Sequence, residues 1–219
     1  MAKPGTVQRP IFPVAAVEAA IQALHDALAQ AGDRPAVDPF HEALAAIRPA
    51  AAVAPPRQEV PVCGHLVAAL DAARGTPAAA FVEPVAALAG AAFWTQNPNY
   101  RSRPPAPDFL DRYGYFVLAG PADGPSSFIE CPDLACGFLL LAPGTLYPSH
   151  RHPAVELYIP LSGDGEWQEG ANPWRKEQPG AVIHNPSGVA HAMRAGTAPL
   201  LAAYLWLGEL ATHARLAQA

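Results

Sequence analysis

The chain has 219 residues, of which 51% are hydrophobic and 15% are charged, a composition typical of a folded globular protein and not of a disordered one. This length fits one domain, or one domain with a sizeable extension. The formal net charge of -5 leaves no polycationic surface, which excludes binding to nucleic acid or to an anionic membrane through bulk electrostatics.

Residues 1–95 are predicted to form a helical amino-terminal extension. Within residues 15–31 the larger apolar side chains recur on one face with helical spacing: Val17, Ile21, Leu24 and Leu28. Further helices are predicted over residues 64–74 and 78–93, where alanine is frequent and Gly75 supplies a stop after the first of the two. We therefore expect this half of the chain to be mainly helical.

The start of a second helix is predicted from a capping signal. Asp38 followed by Pro39 is typical of an N-cap residue with proline at the first helical position. The sequence therefore predicts a helix that begins at this pair and ends near Arg48.

Short β-like runs separated by glycine and proline turns begin at Tyr113. In chain order they are YGYFVLA, GFLLLAP, ELYIPLSG, GEWQE, GAVIHNP and LLAAYLWL. Several short strands at this spacing indicate a sandwich or a barrel, and we assign residues 96–219 to a β-domain. A short helix is predicted after Glu209.

The strongest chemical signal lies between Gly144 and Gly163. Side chains alternate between the two faces of a strand, so His150 and His152 are expected to point the same way. Glu156 has the same parity if the strand resumes after the intervening proline. Two imidazoles and a carboxylate that converge on one point form an open site for a divalent transition metal.

A second segment with glycine turns follows Gly163 after sixteen intervening residues. It begins at Gly180, turns at Pro186 and Gly188, and reaches His191 on the returning strand. The two segments together resemble the two signature motifs of the cupin superfamily, and only Ala195 departs from them, where the superfamily has an asparagine. The resemblance implies a double-stranded β-helix barrel, which makes the expected fold mainly β with an α-helical amino-terminal extension.

The same resemblance to cupins implies a set of four metal ligands, which are His150, His152, Glu156 and His191. The ligand types suit Fe, Mn, Zn, Ni or Co, so the sequence predicts one divalent transition metal without naming it. His184, near the turn of the second segment, could face the pocket or the solvent, and we expect a structural histidine or one that supports a ligand, not a metal ligand.

Two tyrosines flank this ligand set. Tyr147 lies three residues before His150, and Tyr158 lies two residues after Glu156 on the same face of the strand. A phenol this close to a bound cation can ionise and act as a base that removes a proton from carbon. Both tyrosines are therefore candidate catalytic residues.

The run from Tyr147 to Gly163, with the upstream WTQNPNY and the helical extension, resembles the cupin-type dimethylsulfoniopropionate lyases. This resemblance implies β-elimination of dimethylsulfoniopropionate to dimethyl sulfide and acrylate. Carried over by position, Tyr158 would remove the α-proton of a metal-bound carboxylate, and Tyr147 would line the pocket and assist.

A sulfonium cation should favour aromatic faces, at about 0.5–2 kcal/mol for each cation–π contact. Five side chains are candidates for such a substrate-binding wall: Tyr147, Trp167, Trp174, Tyr204 and Trp206. Tyr204 and Trp206 share parity on the last predicted strand, so one strand face could present both.

Two other functional classes stay open. One is a different metal-dependent cupin enzyme, an oxygenase or isomerase that acts on another small carboxylate. The other is a non-enzymatic cupin that binds a small ligand. The tyrosine pair argues against the first class, and the four-ligand set argues against the second.

The sequence also gives expectations about compartment and partners. No apolar run approaches the roughly 20 residues needed to span a bilayer. Three cysteines without a CxxC pair, Cys63, Cys131 and Cys136, suit a reducing compartment, so we expect a cytoplasmic protein. The expected partners are a small-molecule substrate and, since cupins often pair, a second copy in a homodimer, with no nucleic acid and no membrane.

Overall fold

The computed structural model describes residues 14–32 and 34–217. Its helices are α1 (Val14–Ala29), α2 (Arg34–Ala46), α3 (Leu66–Ala73), α4 (Val82–Ala89), α5 (Pro98–Ser102) and α6 (Phe109–Arg112). Short 3₁₀ turns precede α3 at Pro61–His65 and α4 at Ala79–Phe81. The predicted helices over 15–31, 64–74 and 78–93 are therefore present, the last two in shorter form.

The predicted start of α2 is wrong. The helix begins at Arg34, four residues before Asp38, and Pro39 lies inside it. Buried apolar side chains explain the earlier start, because Val37, Phe40 and Leu44 follow helical spacing and all three face the core. Packing of this apolar face outweighs the backbone hydrogen bond that a proline cannot donate.

Eleven strands are found among the described residues. They are β1 (Tyr113–Gly120), β2 (Ser127–Glu130), β3 (Leu134–Leu141), β4 (Leu146–Arg151), β5 (Val155–Pro160), β6 (Glu166–Glu169), β7 (Arg175–Lys176), β8 (Ile183–Asn185), β9 (His191–Arg194), β10 (Leu200–Leu207) and β11 (Arg215–Leu216). They form a six-stranded sheet in the order β2-β1-β3-β10-β5-β8 and a five-stranded sheet in the order β11-β4-β9-β6-β7. A strand, β11, stands where a helix was predicted after Glu209.

Both faces of the six-stranded sheet are covered. On one face, alternate side chains pack against α1 to α4 in what we call the outer cluster, whose sheet residues include Phe116, Leu118, Phe138, Leu140, Leu157, Ile159, Leu201, Ala203 and Leu205. On the other face lies the inner cluster, which contains Tyr100, Phe109, Tyr113, Leu139, Leu141, Tyr147, Tyr158, Trp167, Ile183, Met193, Ala195, Leu200, Ala202 and Tyr204, with Tyr115, Trp206 and other half-buried side chains packed against it. Burial on both faces explains why a strand such as LLAAYLWL is apolar throughout.

The two sheets enclose the inner cluster as a barrel, and the predicted cupin fold with an amino-terminal helical region is confirmed. The helices share the outer cluster with the barrel strands, so the helical and β parts have a continuous core. The division into separate units at residue 95 stays a prediction. Across residues 14–32 and 34–217, no helix combines the length and the apolar character that crossing a bilayer requires.

Candidate metal centre and its cavity

The two segments that carry the cupin motifs contact each other at a turn. The backbone N–H of Gly188 donates to the carbonyl of His152 over 2.9 Å, and the hydroxyl of Ser187 donates to the carbonyl of Pro153 over 2.5 Å. Gly188 has a φ of +71°, and Gly163 at the end of the first segment has a φ of +87°, a backbone region that favours glycine. Gly188 therefore forms the turn that contacts the first segment, and Gly163 forms the turn that ends that segment.

Four side chains converge inside the barrel. His150 lies on β4 directly opposite His191 on β9, His152 follows the end of β4, and Glu156 lies on β5. All four are at least 96% buried. The ligand nitrogen atoms of the three histidines lie within 4.8 Å of one another, which makes the group able to hold a metal ion. The carboxylate oxygen Oε2 of Glu156 lies 2.9 Å from Nε2 of His191 and 3.2 Å from Nε2 of His152.

Backbone contacts orient the three imidazoles. The Nδ1 atoms of His150, His152 and His191 lie 2.9–3.0 Å from the carbonyl oxygens of Pro148, Ala154 and Val189, respectively. A carbonyl oxygen can only accept, so each Nδ1 carries the proton and each Nε2 of a neutral ring keeps its lone pair. This is the tautomer that a metal ligand needs.

The charges of the group follow from its burial and its contacts. Burial alone would raise the pKa of Glu156, but the neighbouring His152 and His191 outweigh it and hold that pKa well below its usual value. Burial lowers the pKa of His150 well below the ordinary value, and the nearby His191 lowers it further. At neutral pH the site therefore contains an ionised carboxylate beside a neutral His150 ring.

One polar atom of this group lacks a hydrogen-bond partner. Nε2 of His191 is buried and has no hydrogen-bond partner, although it lies 2.9 Å from a carboxylate oxygen. In a neutral ring the lone pair on Nε2 would be repelled by the anionic oxygen, so either a proton on Nε2 or a bound cation must lie between the two atoms. The donor set and this unpartnered nitrogen both fit a bound divalent cation.

A cavity of about 140 Å³ opens beside this group. Tyrosines dominate its inner wall, and all six tyrosines of the chain belong to the inner cluster or pack against it: Tyr100, Tyr113, Tyr115, Tyr147, Tyr158 and Tyr204. Residues of the segments 120–125 and 210–214 also line it. Among the described residues that line the cavity, none is lysine or arginine.

Both candidate catalytic tyrosines line this cavity together with Glu156. The ring of Tyr147 stacks on His150 with a centroid distance of 4.1 Å, and Tyr158 lies opposite Tyr204 across β5 and β10. Burial raises the pKa of Tyr158 well above its ordinary value, and the negative charge of Glu156 raises it further. Burial likewise raises the pKa of Tyr147. Without a cation, therefore, both phenols are held in the protonated form.

Only three of the five predicted wall residues line the cavity in the structure. Tyr147, Tyr204 and Trp206 line the cavity, whereas Trp167 and Trp174 are not among its lining residues. Trp167 is buried in the inner cluster, where its ring lies over Gly165. Trp174 stacks against the guanidinium of Arg194 at 4.6 Å, beyond the end of β6. We therefore leave Trp167 and Trp174 out of the substrate-binding wall.

His184 lies on the opposite face of β8 from the four converging side chains. On β8 its side chain faces a cleft lined by α1 and α2, whereas its neighbour Asn185 points into the barrel. The amide of Asn185 donates to Oε2 of Glu156 over 3.2 Å, so Asn185, and not His184, contacts the converging side chains. Strand alternation alone could have separated these two neighbours, once the face of β8 was known.

Comparisons with known proteins all match this chain to one family. A family model described as dimethylsulfoniopropionate lyase matches residues 41–202. The dimethylsulfoniopropionate lyase DddQ of Ruegeria pomeroyi is 37% identical over 105 residues, which are 48% of this chain and 50% of that protein. The putative dimethylsulfoniopropionate lyase DddL of Cereibacter sphaeroides is 35% identical over 156 residues, which are 70% of this chain and 62% of that protein.

Solved structures agree with these sequence matches. A crystal structure of DddQ from Ruegeria pomeroyi superposes with a TM-score of 0.66 at 29% identity and covers 89% of this chain and 96% of that chain. A second structure, reported with the lyases RdDddP and RnDddQII, has a TM-score of 0.68 at 25% identity and covers 93% and 98%. The matches to the two curated relatives span about half and about three fifths of their lengths.

Proposed function

Because the chain belongs to the dimethylsulfoniopropionate lyase family, we propose that it cleaves dimethylsulfoniopropionate by β-elimination to dimethyl sulfide and acrylate. The observation that carries the proposal is the convergence of three buried imidazoles and one ionised carboxylate beside a cavity lined with tyrosines. A cytoplasmic location and a homodimer stay predictions.

The proposed ligands of the metal are His150, His152, Glu156 and His191. When bound, a divalent cation supplies positive charge that acidifies the carbon next to a substrate carboxylate and favours a nearby phenolate. Fe, Mn, Zn, Ni and Co all suit this ligand set, so the identity of the metal stays a prediction.

Tyr158 is proposed as the base. Its phenolate oxygen takes the proton from the α-carbon, and the electrons of that C–H bond form the double bond of acrylate. The C–S bond breaks at the same time, and its electron pair leaves with sulfur as neutral dimethyl sulfide. The proton stays on Tyr158 until solvent removes it. Burial and the charge of Glu156 raise the pKa of Tyr158 in the metal-free protein, and the positive charge of a bound cation would oppose that shift and favour the phenolate.

The cavity also suits the other end of the substrate. No lysine or arginine is among its described lining residues, so no permanently cationic side chain there repels the sulfonium. The rings of Tyr204 and Trp206 can face the cation, at about 0.5–2 kcal/mol for each contact. Tyr147, held against His150 by stacking, is proposed to line the pocket and assist.

One assay tests the proposed reaction and its base together. Purified protein loaded with Fe²⁺, Mn²⁺ or Zn²⁺ receives dimethylsulfoniopropionate, and dimethyl sulfide is measured in the headspace. We expect wild-type protein to be active and Tyr158→Phe to lose about 10²- to 10⁴-fold in kcat, the usual contribution of a general base. Trp174→Phe, which alters an aromatic side chain outside the cavity, is the matched control and should stay active.

This assay distinguishes a wrong base from a wrong substrate. Full activity in Tyr158→Phe would remove the base assignment but keep the reaction. No dimethyl sulfide from wild-type protein with any of the three metals would reject the substrate and favour another metal-dependent reaction at the same site.

A further inference from the structure

Two donors hold the carboxylate of Glu156, one at each oxygen. The indole N–H of Trp206 donates to Oε1 over 2.6 Å, and the amide of Asn185 donates to Oε2 over 3.2 Å. Both donors come from the strands that flank β5, and the sheet register places each directly opposite Glu156. The orientation of the carboxylate is therefore set by the six-stranded sheet itself.

The two oxygens of Glu156 have different surroundings. Oε2 faces Nε2 of His191 and Nε2 of His152, whereas Oε1 faces the indole N–H at a distance typical of a strong, charge-assisted hydrogen bond. Rotation of the carboxylate would break the bond to Trp206. Only one oxygen is therefore presented to the three imidazoles.

Trp206 contacts a second proposed ligand through its ring. The indole stacks on the imidazole of His152 with a centroid distance of 4.0 Å and an interplanar angle of 26°. The Nδ1 atom of that imidazole is held by the carbonyl of Ala154. The ring of His152 is thus fixed at one edge by the backbone and on one face by Trp206.

We propose that Trp206 is a positioning residue of the metal site. Its indole N–H and ring hold Glu156 and His152 in the arrangement that binds the cation, with Glu156 offering Oε2 alone, and Asn185 supports the same oxygen. This inference rests on the metal site of the proposed function. Trp206 therefore contributes to the affinity for the metal, and its side chain also forms part of the cavity wall.

The test measures metal binding without substrate. Protein stripped with a chelator is titrated with Co²⁺ by calorimetry, and the visible absorption of the bound Co²⁺ is recorded. Trp206→Phe keeps an aromatic ring over His152 but removes the donor to Glu156. We expect it to weaken Co²⁺ binding by about 10- to 100-fold, the range found when a group that supports a metal ligand is lost, and to alter the Co²⁺ spectrum.

The matched control is Trp94→Phe. Trp94 is also a buried tryptophan whose indole N–H donates a hydrogen bond, here to the carbonyl of Ala89 over 3.1 Å, but it lies in the outer cluster. Its replacement should leave Co²⁺ affinity and spectrum unchanged. Asn185→Ala removes the other donor and is expected to weaken Co²⁺ binding less, because its hydrogen bond is longer.

Three results would contradict the proposals at different levels. Wild-type protein that binds no Co²⁺ would reject the metal site itself. Equal Co²⁺ affinity and spectrum in wild type and Trp206→Phe, with a raised KM for dimethylsulfoniopropionate, would make Trp206 part of the substrate wall only. If Trp206→Phe does not fold by circular dichroism, unchanged Co²⁺ binding in Asn185→Ala would overturn the idea that donors to Glu156 set the affinity.

Discussion

The two faces of the six-stranded sheet differ in their polar side chains, because the tyrosines and the converging histidines and glutamate lie on the inner face alone. On β5, Leu157 and Ile159 point outward into a cluster of aliphatic and phenylalanine side chains under the helices. Their neighbours Glu156 and Tyr158 point inward, towards the histidines and the tyrosine-lined cavity. One strand of six residues thus supplies the packing of the fold and the chemistry of the site through alternate positions. Substitutions of adjacent residues should therefore affect different properties.

The largest effect is expected on the inner face. His191→Ala removes one of the three clustered imidazoles and should abolish stoichiometric metal binding and reduce lyase activity to background, while the outer cluster keeps the protein folded. Elemental analysis after reconstitution and dimethyl sulfide release measure the two losses. Retained activity with an unchanged metal content would exclude His191 from the ligand set.

The outer face should respond in the opposite way. Leu157 is fully buried, and Leu157→Ala should lower the free energy of unfolding by about 2–5 kcal/mol, the cost of deleting a core leucine side chain. Urea unfolding measures this change. Below the unfolding transition, the Co²⁺ affinity of the variant should equal that of wild type. A weakened metal site in a folded Leu157→Ala protein would show that the two faces are coupled.

A smaller effect is expected for the metal-free protein. Its free energy of unfolding should fall in acid because two residues of the inner face titrate. The pKa of Glu156 is lowered, so its contribution to stability is present above the ordinary value of 4.5 and is lost as the pH falls through the lowered pKa. The pKa of His150 is also lowered, so below the ordinary value of 6.5 the unfolded chain binds a proton that the folded protein does not. Both shifts make stability fall as the pH falls.

Urea unfolding of the chelator-treated protein between pH 7 and pH 4 measures this dependence. Glu156→Gln should make the free energy of unfolding depend less on pH in the acidic part of this range. Leu157→Ala should lower the free energy of unfolding by the same amount at every pH. An unchanged slope in Glu156→Gln would mean that other groups carry the acid sensitivity.

The fold class and the converging residues were predicted from the sequence, the cupin barrel and the place of His191 through the resemblance to the cupin motifs. Period-2 alternation and the spacing of His150, His152 and Glu156 predicted a shared face, and the glycine turns explain how His191 joins them from a distant segment. These features depend on local backbone geometry, which short sequence patterns record well. The roles of these residues as metal ligands stay a proposal.

Predictions that depend on the pairing of distant strands were less accurate. His184 and Asn185 are adjacent, and a shift of one residue exchanges the face that each presents, so only the register of β8 against β5 identifies Asn185 as the partner of Glu156. The contact between Trp206 and Glu156 likewise depends on the register of β10. Trp174 was a candidate because aromatic faces attract a sulfonium, but the structure places its ring against the guanidinium of Arg194, outside the residues that line the cavity.

The place of β10 in the sheet has a consequence for how the chain is made. This strand, at residues 200–207, lies between β3 and β5 in the middle of the six-stranded sheet. On the ribosome, α1 to α4 emerge long before it, and the surface on which they pack is incomplete until it arrives. Nascent chains that stop short of Leu200 therefore carry uncovered apolar helices and a divided sheet, and they should be clients of chaperones until synthesis passes this point.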